Sequence, residues 1–120
     1  MSATATPTIY DPKILYKGLL TTTLTTTLVT APAAEAGVKI ERIVLTNILG
    51  TGASANVTID HADTAGANPF KIMSAASIPG DGFPTVLELG IYLNTTDLLR
   101  GGCATASAVH CLIYGQEMAD

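Results

Sequence analysis

From residue 14 onward, apolar and polar side chains alternate with a period of two in short runs broken by turn residues, which marks strands rather than helices. Two β-rich runs, 14–20 and 24–30, flank Thr21-Thr22-Thr23, and Leu24 and Leu28 fall on one face of the second. Helical spacing also fits Leu20, Leu24 and Leu28. Seven Thr within residues 21–30 decide for strand, because β-branched side chains lose rotamer freedom in a helix and pack well on a sheet. The segment VKIERIVLTNIL, residues 38–49, carries the strongest strand pattern. Val38 and Ile40 alternate with Lys39 and Glu41, after which Ile43, Val44 and Leu45 run on without alternation. Such a switch means burial on both faces later in the strand or a bulge near Arg42.

GTGAS at 50–54 reads as a turn, followed by a strand over 55–63 with Ala55, Val57, Ile59 and His61 on one face and Asn56, Thr58 and Asp60 on the other. These two strands are expected to pair as a hairpin. Short strands are expected at 70–73 and 85–89, the latter followed by Ile91-Tyr92-Leu93. Turns are expected at 77–82 and at Asn94-Thr95-Thr96-Asp97. Residues 98–104 and 108–117 are expected to close the chain as a second hairpin around 104–107. About eight short strands at this spacing predict an all-β chain, an antiparallel β-sandwich of jelly-roll-like type, with no long helix. Residues 14–120 form its single domain. Residues 1–13, with SATATPTIYDP, lack either periodicity and read as an extended N-terminal arm, in which Ile9 and Tyr10 are the apolar anchor.

Composition narrows the function. Thr and Ala supply 18 and 17 of the 120 residues, charged residues are 13%, and the apolar fraction is 48%. With a mean hydropathy of +0.39, so small a domain has more apolar surface than it can bury alone. The surplus predicts burial between subunits, as a homotrimer or else a dimer. Six basic against ten acidic residues give a net charge of −4, the wrong sign for a groove that tracks phosphates, so no nucleic-acid partner is expected. Uncharged stretches at 18–34, 43–59 and 101–116 are too short and too rich in Gly, Thr, Asn and Ser for a membrane helix, and no membrane partner is expected. GLLTTTLTTTLVTAPAA after Lys17 imitates a secretion signal, but its seven Thr spoil the apolar centre. The expectation is synthesis in a cytoplasm, with Cys103 and Cys111 reduced.

Candidate chemistry is sparse. Asp60-His61-Ala62-Asp63 is the one group of metal-ligand types close in sequence; without a second His or Cys nearby, loop charges are the expected role and no metal or other cofactor is expected. His110 shares its strand face with Leu112 and Tyr114, opposite Val109, Cys111 and Ile113. This face is the candidate interface, with His110 at a subunit contact. Cys103 and Cys111 flank Ser107 almost symmetrically, which allows a cross-strand disulfide in the expected hairpin, whereas the compartment favours two buried thiols. No nucleophile–base pair, paired carboxylates or phosphate-binding glycine loop is present, so neither an enzyme nor a small-molecule binder is expected. A carbohydrate-binding sandwich needs exposed aromatic platforms, and this chain has six aromatic residues and no Trp.

VKIERIVLTNILGTGASANVTIDHAD and GIYLNTTDLLRGGCATASAVHCLIYGQEM resemble the small β-sandwich structural proteins of tailed-bacteriophage virions. Their pattern of a strand ending in a Thr/Asn turn, a V-T-I strand, a turn carrying Asp and a last strand closing in Gly-x-Glu corresponds to residues 43–47, 56–60, 93–99 and 109–117. One position departs: the family's turn has Gly before Asp, where this chain has Thr96 before Asp97. The resemblance implies a capsid cement or decoration protein, located on the outer capsid surface, that bridges neighbouring major capsid protein subunits. A neck, tail or head-fibre component is the alternative, and no catalytic residue carries over.

Overall fold

The computed structural model describes residues 13–32 and 37–118. The first twelve residues, with Ile9 and Tyr10, lie outside this range, whereas Lys13, assigned above to the arm, opens the first strand. Eight strands are present among the described residues: β1 Lys13–Leu19, β2 Thr27–Thr30, β3 Gly37–Asn47, β4 Gly52–Ala62, β5 Phe70–Gly80, β6 Thr85–Leu93, β7 Leu98–Cys103 and β8 Val109–Met118. A single 3-10 turn, Thr64–Gly66, is the one helical element described. The strands form two antiparallel four-stranded sheets, ordered β1-β8-β3-β6 and β2-β7-β4-β5. Four pairs therefore nest, β1 with β8, β2 with β7, β3 with β6 and β4 with β5.

The core lies between the sheets. Val38, Ile40, Ile43 and Leu45 of β3, Val57 and Ile59 of β4, Leu99 of β7 and Val109 and Ile113 of β8 are buried in it. At about 1.5–3 kcal/mol for each large aliphatic side chain taken from water, this layer drives folding. A register shift between Ile40 and Arg42 breaks β3 and resolves the pattern left open by the sequence. The bulge moves the inward positions from 38 and 40 to 43, 45 and 47, and Val44 points out half-buried.

Both expected hairpins are absent. β3 and β4 lie in different sheets, as do β7 and β8, so each connection crosses the sandwich. Each of these strands is interior to its sheet and already has two partners, β8 between β1 and β3 and β7 between β2 and β4. The connections cross a gap of about 10 Å, within reach of four or five residues. Ile48 N–H donates to the Ala108 carbonyl at 2.8 Å, fastening the two crossings where they meet, and Ala104 N–H donates to Asn56 O of β4 at 2.9 Å.

The Thr-rich run is shorter as a strand than expected. Leu24 lies in a turn and is exposed, and only Thr27–Thr30 is regular. Thr26 N–H and Thr26 Oγ1 both donate to Thr23 O, and Thr21 Oγ1 meets Thr26 Oγ1 at 2.6 Å. These local bonds replace ladder bonds. Gly101 and Cys103 of β7 instead donate to Thr26 O and Thr21 O. Gly102 allows that approach, since a Cβ there would lie 2.5 Å from Thr23 O.

β5 is longer than expected and takes in part of the predicted 77–82 turn. Ala75 adopts φ +47°, and its N–H donates to Thr58 Oγ1 at 3.0 Å, so the strand passes a bulge and continues to Gly80 with Ile78 buried.

Candidate functional site

The outward face of the β1-β8-β3-β6 sheet collects the candidate interface residues of the last strand. Val109, Cys111 and Ile113 point into the core, while His110, Leu112 and Tyr114 point out, as their alternation requires. Cross-strand register extends this face in rows that the sequence alone did not connect. One row runs Lys17, Leu112, Val44, Val86, and the next Ile14, Tyr114, Arg42, Glu88. Ile14 is 57% exposed, Val86 44% and Tyr92, further along β6, 55%. A groove of about 430 Å³ lies on this face, lined by Lys17, Val44, Thr46, His110 and Leu112 among others. Beside Tyr114, Arg42 Nη2 pairs with Glu88 Oε1 at 2.8 Å, and Lys13 Nζ pairs with Glu117 at 2.8 Å. The face is thus mixed, a short apolar row of Leu112, Val44 and Val86 lying next to a row that carries the Arg42–Glu88 pair.

His110 is exposed and sits across from Leu19 and Thr46. Of the sequence-predicted interface, the structure thus joins His110, Leu112 and Tyr114; Ile9 and Tyr10 lie outside the described residues.

The two cysteines are free and buried, on β7 and β8 of opposite sheets. Cys103 is across from Val57, and Cys111 is across from Leu45 and Gly18. The hairpin that would have set them face to face does not form. Burial pushes the Cys111 thiol up to about 12, so it stays protonated and unreactive at neutral pH.

The cluster at 60–63 splits by strand alternation. Asp60 is buried and points away from the core. Arg100 binds it with Nε to Oδ1 at 2.9 Å and Nη2 to Oδ2 at 3.0 Å, and Lys71 Nζ lies 3.8 Å from Oδ2. This hydrogen bonding raises the Arg100 guanidinium above its ordinary range. Its Nη1 lies 2.9 Å from where a Cβ on Gly66 would be, so the 3-10 turn rests against Arg100. His61 and Asp63 emerge at the end of the sandwich and meet Asp97, which the sequence reading placed only in a turn. No signal in the sequence linked residues 36 positions apart.

That turn, Asn94 to Asp97, is closed by Asp97 N–H donating to Asn94 O at 2.9 Å. Thr96 stands at φ +68°, the left-handed region that favours glycine. The position at which the chain departs from the phage pattern is thus one where Gly would fit without strain. Thr96 Oγ1 bonds Thr95 O and Thr64 Oγ1, tying the strained residue to the loop after β4.

No family model matches this chain, and no curated protein matches its sequence. Fold and surface together define a small all-β sandwich whose β1-β8-β3-β6 sheet carries a short apolar row on its outward face.

Proposed function

We propose that this chain is a non-enzymatic virion structural protein of the cement or decoration type, which bridges neighbouring major capsid subunits as a small homo-oligomer, a trimer in preference to a dimer. The observation that carries this reading is the outward row Leu112, Val44 and Val86 with Tyr114 and Ile14 beside it. Such a face is costly to leave in water. The nested pairing of first with last strand, second with seventh and so inward also supports the jelly-roll reading, a roll of two Greek keys. The sequence resemblance to phage sandwich proteins supplies the virion class, and residues 1–12, read from the sequence as an arm with Ile9 and Tyr10, are the second proposed contact.

Sedimentation of the purified protein at tens of micromolar tests the assembly. An oligomer that becomes monomeric in Val44→Glu with Leu112→Glu supports the reading. A wild-type monomer that also fails to bind phage heads lacking their decoration protein removes it. A neck, tail or fibre role would show as binding to those structures rather than to heads.

A further inference from the structure

We propose that His61, Asp63 and Asp97 form a binding site for a divalent transition-metal ion of the zinc class. The inference is independent of the assembly reading, since these residues lie at the end of the sandwich away from the Leu112 row.

Three separate features of the chain converge there. His61 is across from Leu99, a core residue, so its ring lies on the inner side of β4 at the strand's end. Asp63 follows two residues later with extended backbone, φ −73° and ψ −179°, which keeps the strand's alternation and returns its side chain to the same side. Asp97 arrives from the turn between β6 and β7 and is buried. One ligand atom from each residue lies within 4.8 Å of the other two. Donors each about 2.0–2.2 Å from a zinc ion sit up to about 4 Å apart, so small side-chain rotations close the set.

The donor types select the ion. One imidazole nitrogen with two carboxylate oxygens gives three protein ligands and leaves a position for water. Imidazole favours zinc, nickel or copper over magnesium and calcium, which prefer all-oxygen shells. Two carboxylates gathered beside one imidazole also concentrate negative charge that a dication neutralises. Both carboxylates are oriented from outside: Asn68 Nδ2 donates to Asp63 Oδ2 at 3.0 Å, and Asn94 N–H donates to Asp97 Oδ2 at 3.2 Å. His61 Nε2 lies 3.3 Å from Asp97 Oδ2. A metal on Nε2 takes that nitrogen's lone pair, and the ring proton then resides on Nδ1. The ion would join the end of β4 and the loop after it to the turn after β6, segments that also meet through the Thr64–Thr96 contact and the His61–Asp97 pair.

The test uses the full chain, stripped with a chelator and titrated with Zn2+ by calorimetry and by thermal melting, with Mg2+ and Ca2+ as hard-ion controls. One Zn2+ should bind per chain, and Tm should rise with Zn2+ concentration. His61→Ala and Asp63→Asn should each weaken Zn2+ by about tenfold or more, and Asn68→Ala by less. His110→Ala, which removes the chain's other imidazole, should leave binding unchanged. Asp63 is exposed, so Asp63→Asn is the variant to rely on if a change at buried Asp97 impairs folding. No saturable Zn2+ binding, binding untouched by His61→Ala and Asp63→Asn, or equal affinity for Mg2+ would each overturn the proposal.

Discussion

Arg100 grips the Asp60 carboxylate with both prongs of its guanidinium, and the two residues are register partners on β7 and β4. The pair is buried on the Asp60 side and sits under the 3-10 turn, so it fastens the outer surface of the second sheet to the loop that carries Asp63. Removing one partner of a buried pair leaves an uncompensated charge. Arg100→Ala should therefore destabilise the fold by about 3–5 kcal/mol, toward the lower figure because Lys71 stays near Asp60. Lys71 is half exposed, and Lys71→Ala should cost less than about 1 kcal/mol. Asp60→Leu combined with Arg100→Met should cost less than Arg100→Ala alone. Urea unfolding of the three variants beside the wild type checks the order.

The Cys111 thiol gives stability an alkaline limb. Its folded value is raised from 9.0 to about 12 by burial, so above pH 9 the unfolded chain releases a proton that the folded chain keeps. Unfolding then becomes easier as pH rises, by up to about 1.4 kcal/mol per pH unit from this group. Between pH 8 and 10, wild-type stability should fall more steeply than that of Cys111→Ala. Equal slopes would assign the limb to other groups.

Both thiols are expected to resist modification in the folded protein and to react with a thiol reagent once urea unfolds it. Cys103→Ser with Cys111→Ser should lower stability by about 1–3 kcal/mol, as for hydroxyls placed in an apolar site, and leave assembly intact. Loss of folding in the double variant and equally in each single variant would indicate a disulfide instead.

Thr96 holds a left-handed backbone that its branched side chain disfavours, and its hydroxyl bonds offset part of the cost. Asn accepts this conformation more readily, so Thr96→Asn should raise stability by about 0.5–1 kcal/mol. Thr96→Val keeps the branch and loses the hydroxyl, and should cost about 1 kcal/mol. The urea midpoint at unchanged slope distinguishes them.

If the arm docks on a neighbouring subunit through Ile9 and Tyr10, deleting residues 1–10 should lower particle occupancy and heat resistance more than deleting residues 1–8. Wild-type behaviour from both truncations would leave the outward sheet face as the only contact.

What the sequence by itself determined is local. The period of two indicated about eight strands, the break at Ile43-Val44-Leu45 offered a bulge near Arg42 as one of two readings, and parity on the last strand placed His110, Leu112 and Tyr114 on one face. Each follows from side chains alternating across a pleated backbone, which neighbours in the chain suffice to show. Which strands pair is a property of the whole sandwich. A tight turn between two strands reads alike whether the chain folds back in one sheet or crosses to the other, and both expected hairpins failed on that ambiguity. The rows Leu112–Val44–Val86 and Lys71–Asp60–Arg100, and the meeting of His61 and Asp63 with Asp97, arise only when strands distant in sequence come into register. Tertiary structure decided those, because burying both sheets' apolar faces against each other selects one pairing from the many that the strands allow.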